Sequence, residues 1–491
     1  MEKDRSARVM ELLRSLGNAC YLRKNYGAAV SYYEEAAKLE PDSALIHLNK
    51  ADALLHLKKF VSAYREARQA LEAGAEKEKA HLRMGQAAYG LRQWEMALKH
   101  LKYAARKYPE EVNDDVCRTK VRLLEASQGI YDISQLYDET AKRGKNHLDL
   151  ADYTGPIQIA DMPQKGGKGM VAINDIPKGT LLMGSKALSM SNEQSLVAET
   201  VEVLQRNPHR LEDIYSLYAG DSPRDIDIPK DRINVDRISK ICLYNSFIVA
   251  NRLGSSRGVT SGSRFGLWIL PSFFNHSCLA NAHRTFFGDF MFIYAVHDIK
   301  QGEEVTMTYA VPTETYIMRT ALISKYGFRC HCRLCKLDRA DPLTDKRDKI
   351  RDQCFELRDL IQNDPAKAEI ELAALIKGLR ETYQDRAEFR TQLVSPLISM
   401  ARVYERLNEL EKAAECYVEA LDSLGSELRH YSGPEILVNL AQIKMRLGNV
   451  NNAKRILDEA MELYQIEMGV DKELFKEIFP VAGMLFNDPV Q

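Results

Sequence analysis

Cys330, Cys332 and Cys335 form a C-x-C-x-x-C cluster, and Cys278 stands well upstream at the end of the run Asn275-His276-Ser277-Cys278. Four thiolates complete one tetrahedral zinc shell and leave no open position, so such a site is structural rather than catalytic. A metal held there ties Cys278 to the end of this region. Asn275, His276 and Tyr309, which follows Gly302-Glu303-Glu304-Val305, then come close to the segment around Tyr326 and Phe328. His331 lies inside the cluster, but the cysteines already supply enough sulfur and it reads as a bystander. Gly166-Gly167-Lys168-Gly169 is a further candidate, because glycines permit positive φ and close approach of backbone to a ligand. On its own such a run is more often a hairpin turn than a cofactor loop.

In this order and spacing, N-H-S-C-x-x-N-A, G-E-E-V with its tyrosine, and C-x-C-x-x-C resemble the SET domain of lysine methyltransferases, over roughly residues 153 to 336. Asn245-Ser246-Phe247 extends the likeness to the SET-and-MYND branch. The resemblance implies a site for S-adenosyl-L-methionine formed by Gly167, Lys168, Gly169, Asn245, Asn275, His276, Tyr309 and Phe328. In it the glycines cradle the methionine part with Lys168 near its carboxylate. Asn275 and His276 hold the adenine and amino group largely through backbone atoms, and Phe328 stacks on the adenine. The resemblance further implies that Tyr309 is the catalytic tyrosine, that Phe247 and Tyr326 wall the lysine channel, and that Cys278, Cys330, Cys332 and Cys335 hold one structural Zn2+. The chain after Tyr309 is expected to thread beneath the Asn275–Cys278 loop as a pseudoknot. Glu303 and Glu304 are given a turn-forming role and no chemistry. Two departures stand out. No cysteine lies between Gly169 and Ile241, so the MYND finger is absent, and Ala280 stands where the family usually has proline.

Methyl transfer to lysine explains these residue types. The attacking amine must be neutral, although a free lysine has a pKa of about 10.4. A narrow apolar channel and a neighbouring positive charge both disfavour the ammonium. Aromatic walls orient the stem, and near-attack geometry replaces a strong base.

Stepping outward, residues 10–111 repeat with a spacing of 34. Gly17, Ala51 and Gly85 align, as do Ala29, Ala63 and Ala97, then Ala36, Ala70 and Ala104, with Pro41 and Pro109 at one phase. This resembles the tetratricopeptide repeat, in which small residues let paired helices cross closely and stacked units leave a peptide groove. Arg14, Asn18, Asn49, Lys79 and Arg83 fall at the phases that in some such repeats clamp the acidic C-terminal tail of cytosolic chaperones. Cations and amides converging there suit paired carboxylates; solvated helix residues are the plainer alternative. Residues 112–150 read as capping and connector helices, 190–240 as a helical insert, and 252 to 264 as a flexible loop. From Leu343 onward Ala401, Ala413 and Ala420 recur as Ala441, Ala453 and Ala460, a second tetratricopeptide-like array over 337–491.

The expected fold is therefore α+β, a mostly β SET domain at 151–336 flanked by all-α arrays. Composition agrees with globular domains: of 491 residues, 45% are hydrophobic and 28% charged. A net charge of -1 gives no pull toward nucleic acid or an anionic membrane, and no apolar run spans a bilayer. Nine scattered or clustered cysteines suit a reducing compartment, cytoplasm or nucleus. The expected function is a protein-lysine N-methyltransferase acting on a histone or cytosolic protein. The alternatives are a non-catalytic scaffold and, with less support, a redox protein using the cysteine cluster.

Overall fold

The computed structural model describes residues 2–165, 167–220, 232–249 and 264–486. Gly166, part of the helical insert (221–231) and all but the last residue of the expected loop at 252 to 264 lie outside the described residues. The chain divides into two compact units, residues 1–130 and 131–491.

The first unit is a stack of antiparallel helices: α1 Glu2–Leu22, α2 Tyr26–Leu39, α3 Ala44–His56, α4 Phe60–Glu72, α5 Lys77–Gly90, α6 Trp94–Ala104 and α7 Pro109–Gln128. The 34-residue phase is a packing phase. A Cβ on Gly17 would lie 2.5 Å from the Tyr33 ring, and one on Gly85 would lie 2.8 Å from Leu101. The six aligned alanines of the other two phases have no exposed surface. Within each pair the turn is made by a left-handed residue at the same phase, Lys24 (φ 59), Lys58 (φ 56) and Arg92 (φ 61). Such φ values are uncommon for residues with a Cβ, so packing of the flanking helices enforces them.

One buried cluster in this unit is pH-sensitive. His100 Nδ1 lies 2.7 Å from His81 Nδ1, and its Nε2 lies 3.2 Å from the Tyr64 hydroxyl. Burial, then the neighbouring His81, pushes His100 down to about 4. Its folded pKa is thus below the unfolded value of about 6.5, so its contribution to stability is present above that pH and lost as pH falls toward 4. Thermal melts followed by circular dichroism are expected to show the repeat unit weakening from pH 6.5 to 4, with a flatter dependence in His100→Gln.

The second unit holds the β-structure: β1 Tyr153–Thr154, β2 Ile157–Met162, β3 Gly167–Ala172, β4 Leu181–Lys186, β5 Ser189–Ser191, β6 Ser246–Val249, β7 Arg264–Leu267, β8 Asn275–His276, β9 Ala282–Phe287, β10 Phe290–Ala295 and β11 Glu304–Met307. They form three small sheets, ordered β1-β4-β10-β9, β2-β3-β11-β8 and β5-β7-β6. Strand β10 is buried along its whole length and shows why its sequence, FMFIYA, does not alternate with polar residues. Met291, Ile293 and Ala295 pack into the β core with Met170, Met183 and Trp268. Phe290, Phe292 and Tyr294 on the other face pack on Leu136, Leu148 and Leu150. Both faces of a strand covered this way must be apolar. The 131–150 segment is therefore a cover for the sheet.

The expected insert contributes helices Leu196–Arg206, Leu211–Tyr215 and Val235–Asn245 around the β5-β7-β6 sheet. From Thr344 onward the unit is helical. Ala401, Ala413, Ala420, Ala441, Ala453 and Ala460 have no exposed surface, as the forty-residue recurrence requires. The same left-handed turn reappears at Asn408 (φ 61) and Gly448 (φ 75). Helix Leu410–Arg446 breaks at Gly425, whose φ of 67 and ψ of 177 are open to glycine alone. Among the described residues no helix is long and apolar enough to cross a membrane.

Candidate active site and metal centre

The four cysteines converge. Their sulfur atoms all lie within 4.8 Å of one another, with Cys278 and Cys335 3.5 Å apart. Zn–S bonds of about 2.3 Å in a tetrahedron put sulfurs roughly 3.8 Å apart, so this donor set fits one zinc ion. Cys278, Cys330 and Cys335 are buried and Cys332 is half-buried. Hydrogen bonding inside the cluster pulls the Cys330 thiol down and pushes that of Cys278 up. A metal takes these groups as thiolates, so its binding would release their protons. His331 is not among the four ligands. The helix carrying the last cysteine, Arg333–Ala340, is fixed to helix Tyr316–Ser324 by a buried Arg319–Asp338 ion pair, and Arg386 holds Asp338 from the other side at 2.6 Å.

His276 connects this shell to Tyr309. The Tyr309 backbone N–H donates to His276 Nδ1 at 2.9 Å. Nδ1 is thus the acceptor nitrogen, so the ring proton resides on Nε2, which donates to Cys278 Sγ at 3.3 Å. The neighbouring backbone is fixed by parallel pairing of β8 with β11, Asn275 opposite Thr306 and His276 opposite Met307. The carboxamide of Asn281 supports it: its oxygen accepts from the Thr306 N–H at 2.8 Å and its nitrogen donates to the Glu304 carbonyl at 3.0 Å. The second asparagine of the motif thus acts as a substitute strand neighbour. Glu304 opens strand β11 rather than sitting in the turn, accepts from Asn275 Nδ2 at 2.8 Å and pairs with Lys165.

A cavity of about 1570 Å³ opens against these residues. Gly167, Lys168, Asn245, Phe247, Asn275, His276, Tyr309, Tyr326 and Phe328 all line it. Gly167 and Gly169 lie in strand β3, opposite Met162 and Ala160, rather than in the turn, which is the 3-10 segment Pro163–Lys165. Gly169 is required by contact, since a Cβ there would lie 2.7 Å from Asn275 Nδ2. Asn245 ends its helix, and its amide nitrogen donates to the carbonyls of Tyr218 (2.7 Å) and Ile241 (2.8 Å). Phe328 is 40% exposed, so a ring face is open for stacking.

The Tyr309 hydroxyl donates to the Phe274 carbonyl at 2.6 Å, which leaves the oxygen lone pairs to accept. Burial, then Tyr326, pushes its pKa above the ordinary phenol value, so it is neutral at physiological pH. The sequence did not point to two further rings. Tyr326 lies 5.1 Å from Tyr309 and 6.4 Å from Tyr244, and Tyr244 lies 5.2 Å from Tyr218. Tyr244 stands immediately before Asn245-Ser246-Phe247, a signal that could have been read. Arg284 is a third addition. Its guanidinium lies 5.5 Å from the Phe247 ring centre and donates to the Thr308 carbonyl at 2.8 Å. It is a permanent cation beside the aromatic wall, and its field opposes the upward shift of both Tyr309 and Tyr326.

In the first unit the five candidate clamp residues lie on α1, α3 and α5, the first helix of each pair. Asn18 Oδ1 accepts from Asn49 Nδ2 (3.1 Å) and from the Tyr33 hydroxyl (2.7 Å). Arg83 donates to Asp52 at 2.8 Å, Lys79 lies 3.3 Å from Glu76, and Arg14 pairs with Glu11.

Known proteins agree with this architecture. Residues 167–310 match the SET domain family, and residues 10–43, 395–423 and 434–466 match tetratricopeptide repeat families. A protein of Gibberella zeae named "Methyltransferase" is 24% identical over 84% of this chain and 63% of its own length, so the chain spans less than two thirds of that relative. "Protein-lysine N-methyltransferase SMYD4" of Mus musculus is 25% identical over 52% of this chain and 31% of that protein. The solved domain titled "First TPR of Spaghetti (RPAP3) bound to HSP90 peptide SRMEEVD" aligns with 23% of this chain and 91% of its own at 23% identity and a TM-score of 0.22. The chain is a SET-domain protein with tetratricopeptide repeats on both sides. Methyltransferases and a SET-and-MYND protein are among its relatives.

Proposed function

We propose that this protein is an S-adenosyl-L-methionine-dependent protein-lysine N-methyltransferase acting on a histone or a cytosolic protein, in the cytoplasm, the nucleus or both. The observation that carries the reading is the neutral Tyr309 hydroxyl, proton-committed to Phe274, in a cavity lined by seven other tyrosines and phenylalanines and the Asn275-His276 strand. The bound donor would supply an electrophilic sulfonium methyl. Gly167, Lys168, Asn245, Asn275, His276, Tyr309 and Phe328 are the residues to hold it, with Gly169, which is not among the cavity's lining residues, packed behind Asn275, and the four cysteines would hold one structural zinc.

The remaining chemistry falls to the chain's own groups. Tyr218, Tyr244, Phe247 and Tyr326 exclude water and enclose the lysine stem, which disfavours the ammonium by desolvation. Arg284 adds electrostatic repulsion to the same effect. The Tyr309 oxygen accepts from the amine and aims its lone pair along the transfer line, so the acceleration comes from orientation and not from a base. Incubation with labelled donor and whole-cell protein, followed by mapping of modified lysines, tests the reading. Absence of labelled lysine despite donor binding would reject it in favour of a scaffold.

The repeat groove is proposed to recruit a partner through an acidic C-terminal tail of the chaperone kind. Arg14, Asn18, Asn49, Lys79 and Arg83 on successive first helices support this. Arg83→Ala is expected to weaken a Met-Glu-Glu-Val-Asp peptide by roughly thirtyfold, the loss of about 2 kcal/mol for a charge-assisted hydrogen bond. Calorimetry giving unchanged affinity would remove the clamp.

A further inference from the structure

The C-terminal helical region contains a second cavity of about 640 Å³ that shares no lining residue with the first. Two helical faces contribute most of it. Arg351, Phe355, Arg358 and Gln362 follow one another at i, i+4, i+7 and i+11 across helices Thr344–Glu356 and Arg358–Asn363. Ser395, Ser399, Arg402 and Arg406 repeat that spacing on helix Thr391–Arg406. Residues so spaced share one side of a helix. Arg446, the last residue of helix Leu410–Arg446, joins them.

The lining thus carries five guanidinium groups against one carboxylate, Glu405. Among the described residues Arg358, Arg402, Arg406 and Arg446 make no ion pair. Arg406 and Arg446 each donate one neutral hydrogen bond near a helix end, to the Gln362 carbonyl at 3.0 Å and to Asn408 Oδ1 at 3.4 Å. Helix-end capping accounts for those two, and Arg358 lies over the Phe355 ring at 4.9 Å. Arg351 is 6% exposed, its nearest carboxylate is Glu314 at 4.0 Å, and its buried Nε has no hydrogen-bond partner. A buried donor left without an acceptor is unfavourable.

The volume falls in the range of small-molecule sites, about 300–1000 Å³. Planar guanidinium forks match phosphate oxygens two at a time, and the hydroxyls of Ser395 and Ser399 add donors. Such an excess of positive charge in so small a space suits a ligand that concentrates several negative charges, which one carboxylate or one phosphate does not. The geometry points to a binding site for a compact soluble polyphosphate, an inositol polyphosphate or a nucleoside triphosphate, in the C-terminal helical region. This inference does not depend on the methyl-transfer reading.

The test uses the full-length protein. Calorimetry is run with inositol hexakisphosphate and separately with ATP at about 0.1 M salt, where surface charges more than a Debye length apart are largely screened. The Arg402→Glu/Arg446→Glu double variant, altered at exposed positions, is compared after its melting temperature is matched to wild type. Expected is saturable binding of at least one probe, weakened tenfold or more in the variant; the tighter probe identifies the source. Three results would overturn the site: no binding of either probe at millimolar concentration, equal affinity in the variant, or tighter binding of an oligoglutamate peptide than of both probes.

Discussion

Tyr309→Phe is expected to lower methyl transfer by on the order of a hundredfold or more, the usual consequence of removing one preorganised polar group from a reaction centre. Affinity for S-adenosyl-L-methionine should stay within about threefold, because the substitution removes one hydroxyl and leaves the Tyr309 backbone and the other donor-holding residues in place. The loss falls on the turnover rate, since the hydroxyl oxygen matters most when amine and methyl are in line. The variant also leaves the Phe274 carbonyl without its donor. Thermal stability therefore needs to be measured beside activity, and a small shift in melting temperature with a large loss of rate is the expected pair. The pH profile carries separate information. With Tyr309 held neutral well past physiological pH, the rate should rise with pH through a single limb that belongs to the substrate amine. Arg284→Met, which removes the cation beside the channel, should move that limb to higher pH. A profile insensitive to both substitutions, with wild-type rate in Tyr309→Phe, would mean the reaction centre lies elsewhere.

Cys335→Ser is expected to act on the fold. Metal analysis should give one zinc per wild-type chain and substoichiometric zinc in the variant. Structural zinc sites supply about 10–16 kcal/mol of apparent binding free energy in small peptides, and losing even a third of that moves the midpoint of a domain of this size by roughly 10–20 °C. Donor binding should fall along with stability, in contrast to Tyr309→Phe, because Cys278 lies two residues from His276, whose ring bridges the sulfur shell and the Tyr309 backbone. Treating wild type with a strong chelator should reproduce the variant. Full stability and donor binding in metal-free protein would contradict a structural role for the four thiols.

These two residues were readable in advance because their information is local or compositional. Cysteines at metal spacing and a tyrosine behind G-E-E-V are patterns of a few residues. The 34-residue phase was readable for a related reason: Gly17 and Gly85 are small because Tyr33 and Leu101 leave no room, and that demand recurs with every unit. Other parts lack any such pattern. Tyr218 and Tyr244 join the aromatic wall through ring contacts between segments far apart in the chain. Arg284 sits in a run of strand residues where its neighbour Phe286 is core, and only the cross-sheet approach of Phe247 and Thr308 reveals what it faces. Gly167 and Gly169, in a run that alone reads as a hairpin turn, lie in a strand, because Gly169 answers to the Asn275 side chain rather than to a turn. The role of 131–150 as a cover for β10 was likewise invisible until the strand's two faces were separated.

The placement of Cys278 and Cys335 in one sulfur shell bears on how the chain is made. A ribosome adds about 5–20 residues per second, so roughly 3 to 11 s separate the emergence of the first thiol from that of the last. Throughout that interval, and until residues 450–468 follow, the apolar strand Phe290–Ala295 lacks the helix Val450–Met468 that packs against it. Contacts this distant in sequence also fold slowly once the chain is released. Biogenesis of this protein should therefore be unusually sensitive to elongation rate and to zinc supply during synthesis, and slowed translation at low zinc should yield aggregated chains at the expense of native ones.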